Sequence, residues 1–443
     1  MTEARHDMDR APELTTTDRA LLLACARTHV DRIARSGIEG LLRGPIRWTA
    51  LLDAAGSHGV LPLLHASLST VDPGLVPPPV LQRIRIEARA NVHHALFLTA
   101  ELLKLLAVFD AAGVTAIPFK GPALAAMAYG DVTLRQFSDL DIFVRKSELA
   151  IITRLMLAAG YLSDTHDGDA ATERSIAADG DVAYRRPSYY TFYRDDDRCR
   201  VDLQWRLADR FFAFSLEGDA AAWDLATVPI AGRSVRTFAA TDALLILCVH
   251  GSKHHWEKLK WICDVAECIR AQRDAIDWRA LHQKASRLRA GRMLALGLRL
   301  AEDMLDARLP PEVSERLQSD RTLAPLVEER RAALFARAPT AQRPRPNLGF
   351  YLRTKDGWQD RLRFSAVYVR QFAAVLVKPT ARDTTWVALP PPLEPLYYVL
   401  RPIRLLTTYA RRARQPQPTV STAGRLDACA SDPASGGGRT DKT

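Results

Sequence analysis

The chain has 443 residues, 47% of them hydrophobic and 25% charged, with six cysteines and a formal charge of +10. That length exceeds one ordinary core, and the composition is that of a globular protein rather than a disordered or fibrous one. Six scattered cysteines without a Cys-x-x-Cys pair argue against a disulfide framework and against a zinc ribbon.

The start of the chain is polar and carries both charge signs, and apolar runs fall short of the ~20 residues of a membrane span, so a cytoplasmic protein is expected. The positive charge is local. From Arg343 onward 17 Lys and Arg stand against 7 Asp and Glu, and the preceding residues balance at 44 of each sign. A neutral body with a basic extension points to an acidic partner or a membrane surface at that extension, and away from a body-wide nucleic-acid channel.

Residues 21–33, 48–68 and 80–109 have apolar spacing of helical period, with a Pro-rich break at Pro73 and Pro77 to Pro79 and a stop at Gly113. The period then changes. Residues 114–119 read as a short buried strand ending at Lys120-Gly121, and 123–129 as the helix that follows. Residues 140–144 read as a second strand and 147–159 as a helix capped by Ser147. Residues 189–193 and 199–205 form a predicted hairpin turned at Asp195-Asp196-Asp197, after a polar loop at 170–187. Helical spacing returns over 242–249, 262–271 and 278–305, with the His-rich stretch 250–261 between the first two. Residues 339–346 read as a linker, 364–377 and 396–409 as apolar segments interleaved with arginine, and the stretch after Arg414 as a disordered tail.

Three aspartates carry the chemistry. Side chains alternate along a strand, so Asp139 and Asp141 point one way while Leu140, Ile142 and Val144 point into a core. Asp202 and Gln204 share an open face in the same manner, with Val201, Leu203 and Trp205 turned inward. Two like charges on one strand face repel, and a hard divalent cation with oxygen ligands relieves them. A third carboxylate from a neighbouring strand completes a two-metal arrangement suited to phosphoryl chemistry. Lys120 and Gly121, at the strand-to-helix junction, form an anion-accepting mouth, and Arg135 and Ser138 precede the acids as candidate phosphate contacts. His250, Lys253 and His254 lie on one helical stretch and are candidates to close over the nucleotide, with Asp264 orienting a histidine; an internally satisfied, purely packed helix is the competing reading.

The order strand, Lys120-Gly121, helix, Ser138-Asp139-x-Asp141, then a later Asp202 resembles the DNA polymerase beta-like nucleotidyltransferase superfamily. Within it, Tyr129, Arg135, Asp202 with Trp205, and His250-Gly251 with His254, Trp256, Leu259 and Asp264 resemble a bacterial nucleotidyltransferase family over roughly residues 80–300. Two positions depart from the pattern: Lys-Gly-Pro replaces the commoner Gly-Ser or Gly-Gly, and Gln204 stands where histidine is usual.

The resemblance implies an α+β fold, a small mixed sheet with helical N-terminal and C-terminal regions. It implies Asp139, Asp141 and Asp202 as catalytic metal ligands for Mg²⁺ or Mn²⁺, with a nucleoside triphosphate as substrate. The expected organisation is a helical region 1–95, a nucleotidyltransferase core 96–235, a helical domain 236–340, a basic extension 341–414 and a tail 415–443. The expected reaction moves a nucleoside monophosphate to a hydroxyl acceptor with release of pyrophosphate, without a nucleic-acid template. The competing expectation is a non-catalytic nucleotide- or partner-binding protein on the same fold, peripheral to a membrane surface.

Overall fold

The structure, a computed structural model, describes residues 14–163, 189–194, 198–207, 223–336, 348–377 and 386–414. The predicted loop 170–187, the Asp195-Asp196-Asp197 turn, the linker 339–346 and the tail after Arg414 lie outside the described residues. The chain divides into two compact units, Met1–Val369 and Arg370–Thr443.

The first unit opens with four helices, α1 (Thr16–Cys25), α2 (Arg32–Leu42), α3 (Trp48–His58) and α4 (Leu61–Leu68). Thr15 and Asp18 form a reciprocal capping box at the start of α1. Asp18 also accepts the Arg47 backbone N–H at 3.0 Å, so one buried carboxylate ties α1 to the entry of α3.

The long α5 (Pro78–Ala111) follows. By length and composition alone it is long and apolar enough to cross a membrane, which corrects the expectation that no apolar run approaches a span. Its apolar positions are instead divided between two cores. Ile84 and Ala88 belong to a large helical core, and Ala95, Leu98, Leu102, Leu105 and Phe109 to a second core under the sheet.

The sheet has the strand order β1-β2-β5-β4-β3, built from β1 (Ala116–Pro118), β2 (Leu140–Val144), β3 (Tyr161–Ser163), β4 (Tyr189–Arg194) and β5 (Arg200–Gln204). Only the β2–β5 pair is parallel; β1–β2, β4–β5 and β3–β4 are antiparallel. Between β1 and β2 lie α6 (Gly121–Leu124) and a π turn over Ala125–Tyr129. Between β2 and β3 lies α7 (Leu149–Ala158), entered by a 3₁₀ turn at Lys146–Glu148 in place of the expected Ser147 cap. With this mixed sheet and its many helices the protein is α+β.

A second sheet is a hairpin of β6 (Leu225–Ile230) and β7 (Arg233–Phe238) that sequence reading did not anticipate. Ala231 and Gly232 both have positive φ, 46° and 77°, the mirror-image turn that matches strand twist. Thr237 donates to the Pro118 carbonyl at 2.7 Å, pinning the hairpin to the end of β1. Phe238 packs against Phe119, Phe143 and Trp223 with ring centroids 5.6–5.8 Å apart.

The helical body continues with α8 (Ala240–Lys253), α9 (Leu259–Ala271), α10 (Trp278–Arg287), α11 (Gly291–Leu305), α12 (Pro311–Ser319), α13 (Ala324–Leu334), α14 (Leu348–Arg353) and α15 (Trp358–Val377). The single helix expected over 278–305 breaks at Arg289, which takes a φ of 55° while the Ala290 N–H returns to the Ala285 carbonyl. The described part of the second unit includes a 3₁₀ turn, Pro391–Leu396, leading into α16 (Tyr397–Arg414). There the Tyr397 hydroxyl donates to the Val387 carbonyl and accepts from the Leu389 N–H, each at 2.9 Å. Among the described residues, Cys25, Cys199, Cys248, Cys263 and Cys268 are buried free thiols.

Candidate active site

Strand alternation divides the two cores at β2. Leu140, Ile142 and Val144 enter the core under the sheet, while Phe143 enters the helical core. Asp141 shares the Phe143 face. On β5, Val201 and Leu203 point into the same core as Ile142, leaving Asp202 and Gln204 on the Asp141 face. The parallel register sets Asp141 opposite Asp202 and Phe143 opposite Gln204. Two acids 61 positions apart in the chain are therefore neighbours on adjacent strands. Asp139, two residues before Asp141 and half-buried, stands at the entrance of β2.

The Lys120-Gly121 pair is held against this entrance. Gly121 has a φ of +54°, and a Cβ there would stand 3.3 Å from the Asp139 carbonyl oxygen. The Phe119 N–H donates to the Asp141 carbonyl at 3.2 Å, continuing the β1–β2 ladder past the end of β1. Lys120 Nζ then lies 3.3 Å from Asp141 Oδ1 and 5.0 Å from the centroid of the Phe119 ring.

The two inner acids each have fixed partners. Asp141 accepts from Lys120 and from Gln204 Nε2, the latter at 2.5 Å. Asp202 accepts from Thr191 Oγ1 at 2.7 Å and from Arg200 Nε and a terminal guanidinium nitrogen at 3.2 and 3.1 Å. Burial drives the Asp141 carboxyl above its ordinary range; the Lys120 ammonium opposes this, and the charges of Asp139 and Asp202 reinforce it. The carboxylates thus press on one another while Lys120 and Arg200 supply the compensating charge.

Sequence reasoning placed Gln204 on the Asp202 face without giving it a partner, and it missed Arg200 and Thr191. Arg200 was legible in principle, because it lies two residues from Asp202 and so shares its face. Thr191 becomes visible only once β4 is aligned with β5, where it stands opposite Asp202.

The remaining candidates divide. Ser138 is exposed beside Asp139. Arg135 is not an open phosphate contact: its guanidinium is buried and donates to both Asp264 oxygens, at 2.7 and 2.8 Å, and Tyr129 donates to the same carboxylate at 2.7 Å. Asp264 consequently orients an arginine and a tyrosine, which corrects the expectation that it orients a histidine. Burial and the Asp264 charge raise the Tyr129 hydroxyl well above its ordinary range, and Arg135 stays protonated through that same ion pair.

His250, His254 and Trp261 form one aromatic cluster, with the histidine rings 4.6 Å apart and Trp261 at 5.7 and 5.0 Å. Burial pushes His250 well below its ordinary pKa, and the charges of Lys120, His254, Lys253 and Lys260 push the same way. His250 is therefore a neutral imidazole at neutral pH, with the Lys120 ammonium among the charges that act on it. Lys253 is half-buried, and its carbonyl accepts the Tyr351 hydroxyl at 2.9 Å.

The Gly251 and Trp256 of this stretch have a packing role. A Cβ at position 251 would fall 2.4 Å from the Trp256 ring, and His255 and Trp256 both take a φ of 54° to fold that ring back onto α8.

Three carboxylates at one mouth are the hard-oxygen donor set of Mg²⁺ or Mn²⁺, and their mutual repulsion is the condition a divalent cation relieves. The residue types suit such an ion. Among the described residues, no three His, Cys, Asp or Glu side chains stand in a ligating array, because Asp141 and Asp202 are turned to Lys120, Gln204, Thr191 and Arg200.

Comparison with known proteins adds three findings. The sequence model of a family described as an uncharacterised nucleotidyltransferase matches residues 44–306. No curated protein matches. A crystal structure of an antigenic nucleotidyltransferase-like protein from Paracoccidioides brasiliensis is 14% identical, covers 51% of this chain and 92% of its own, and aligns with a TM-score of 0.29.

Proposed function

This chain belongs to that nucleotidyltransferase family, and from that premise we propose that it moves a nucleoside monophosphate from a nucleoside triphosphate to a hydroxyl acceptor, with release of pyrophosphate. The observation that carries the reading is Asp141 facing Asp202 across β2 and β5, with Asp139 one pleat upstream and Lys120 on Asp141.

In this reading Asp139, Asp141 and Asp202 would hold Mg²⁺ or Mn²⁺, which when bound supplies charge stabilisation to the phosphates. Lys120 would move from Asp141 to a phosphate oxygen, exchanging one anion for another at little cost in charge. His250, a neutral imidazole, would offer a hydrogen bond rather than a charge, with Lys253, His254 and Ser138 at the rim. Gly121 lets the backbone approach the phosphates closely. The acceptor oxygen bonds to the α-phosphorus, the bond to the β-phosphate breaks, and the hydroxyl proton passes to a carboxylate of the trio.

The test is incubation of the full chain with Mg²⁺ or Mn²⁺ and each α-labelled nucleoside triphosphate, in the presence of a small-molecule extract. Label transfer with stoichiometric pyrophosphate, lost in Asp139→Ala and Asp141→Ala, is the expected result. A folded wild-type protein that binds neither nucleotide nor metal overturns the reading.

One observation favours a second reading, a non-catalytic binding protein: Arg200 and Lys120 already neutralise the two inner acids. Nucleotide binding that is unchanged in Asp139→Ala, with no label transfer by the wild type, is the result that reading requires.

A further inference from the structure

A cavity of about 450 Å³ opens between the N-terminal helices and the entrance of β2. Asn91 and His94 of α5, Gln136 and Ser138 of the β2 approach, and Lys258 and Lys260 before and within α9 supply its polar lining. The volume lies in the range of pockets that hold small organic ligands.

Its charge is positive. Among the described residues, neither Lys258 nor Lys260 has a carboxylate within 4.0 Å. The one acid in the wall, Glu87, is turned onto Arg83 at 2.8 Å. Lys260 lies across Gly59, where a Cβ would fall 2.7 Å from its side chain, and its ammonium reaches the Gln136 carbonyl at 3.4 Å. Burial, reinforced by the Arg135 and Lys258 charges and opposed by those of Asp264 and Asp139, pulls the Lys260 pKa down to about 8.

The rest of the polar lining, Asn91, His94, Gln136 and Ser138, supplies hydrogen-bonding groups beside the two lysines. A wall with two cations and several hydrogen-bonding side chains is complementary to a ligand with an anion at one end and hydroxyl groups along its body. Ser138, in this wall, is the residue before Asp139, so the cavity borders the approach to the proposed reaction centre.

We infer that this cavity seats the acceptor, and that the acceptor is a small phosphorylated polyhydroxy compound whose phosphate lies on Lys258 and Lys260. The inference rests on the nucleotidyl-transfer reading for the word acceptor; the anion site itself does not. With the phosphate anchored there and a hydroxyl against Gln136, a further hydroxyl faces Asp139. Its oxygen bonds to the α-phosphorus of the triphosphate, pyrophosphate departs with the electron pair of the broken bond, and the hydroxyl proton goes to the carboxylates.

The experiment is calorimetric titration of the full chain with inorganic phosphate and with glucose 6-phosphate, alone and in the presence of saturating ATP. Phosphate and glucose 6-phosphate are expected to bind, at least tenfold more weakly in Lys258→Gln and Lys260→Gln, with ATP affinity unchanged in Lys258→Gln. Lys258→Arg is expected to restore binding, and it keeps the test intact where Lys260→Gln fails to fold.

Binding of phosphate alongside ATP supports the acceptor assignment. Competition between them shows that the cavity takes the nucleotide's own phosphates and overturns it. No binding of either probe, or binding indifferent to Lys258→Gln, overturns the anion site itself. Phosphate binding in a protein that fails to bind ATP supports the anion site and removes only the nucleotidyl-transfer reading.

Discussion

Arg135→Met separates a structural arginine from a phosphate contact. Arg135 is 5% exposed and Asp264 1% exposed, and the arginine supplies two of the three side-chain hydrogen bonds that hold this carboxylate. Removing the arginine leaves Asp264 buried with only Tyr129 as donor. Breaking a buried pair in this one-sided way costs about 3–5 kcal/mol, because the surviving charge has no water to return to. Replacing both partners, Arg135→Met with Asp264→Leu, removes the charge as well as the pairing, so the double variant is expected to recover at least ~2 kcal/mol of the summed single losses.

The assay is denaturant unfolding of the four proteins followed on the main transition, with nucleotide affinity measured on each protein that folds. The double variant is expected to bind nucleotide within about threefold of the wild type, equivalent to less than ~0.7 kcal/mol. A single-variant loss below ~1 kcal/mol refutes the buried-pair argument. A well-folded double variant that loses tenfold or more in nucleotide affinity returns Arg135 to the phosphate site.

Four further outcomes follow from the same geometry. Gly121→Ala places a Cβ in a left-handed conformation and against the Asp139 carbonyl; a stability loss of about 1–2 kcal/mol in thermal unfolding is expected, together with loss of label transfer. Asp141→Asn removes a charge that burial and two neighbouring acids disfavour but leaves the buried Lys120 without its carboxylate, so the effects oppose and the stability loss in unfolding should be smaller than the ~3–5 kcal/mol of a broken buried pair, while label transfer disappears. Gly251→Ala forces the Trp256 ring aside, an overpacking cost of about 1–3 kcal/mol in the melting profile. Lys355 is 1% exposed over the Phe364 ring, and burial takes its pKa from 10.5 to about 7 against the opposing pull of Asp356 and Asp360. A base depressed on folding binds fewer protons folded than unfolded between those values, so its contribution makes stability rise with pH, by about 2 kcal/mol from pH 7 to 9. Lys355→Met should be the more stable protein at pH 7 and should lack that part of the slope.

The centre of the sheet was legible because alternation is a local rule. Leu140-Asp141-Ile142-Phe143-Val144 states which side chains are apolar and which are not, and Val201-Asp202-Leu203 repeats the statement, so two facing acids follow once the strands pair. Partner choice was not legible. Arg135 lies near Asp141 as well as Asp264, and only tertiary packing decides that Asp264 takes its hydrogen bonds.

The β6–β7 hairpin was hidden by Pro229, which depresses a strand reading, and by an Ala231-Gly232 turn weaker in signal than Asn-Gly. The helix break at Arg289 was hidden because its φ of 55° falls on an ordinary residue within an unbroken helical period. His250 and His254 stood out as chemistry, but the neighbouring Gly251 and Trp256 show how much of that stretch is packing.

The same alternation that divides the two cores explains why the polar residues gather where they do. A strand buried on both faces ordinarily reads as a continuous apolar run. β2 is buried at all five positions yet carries Asp141 at its second, so on that face the helical body closes over Phe143 but meets a carboxylate beside it. The seam between the cores is filled instead by Asp141, Asp202, Gln204, Lys120 and Thr191, each satisfied by another member or by Arg200. A buried polar network of that kind is costly to leave half-made and adds less to stability than well-packed apolar side chains of the same volume. A seam kept polar at that cost, at the mouth formed by Lys120-Gly121, is what the proposed nucleotide binding requires.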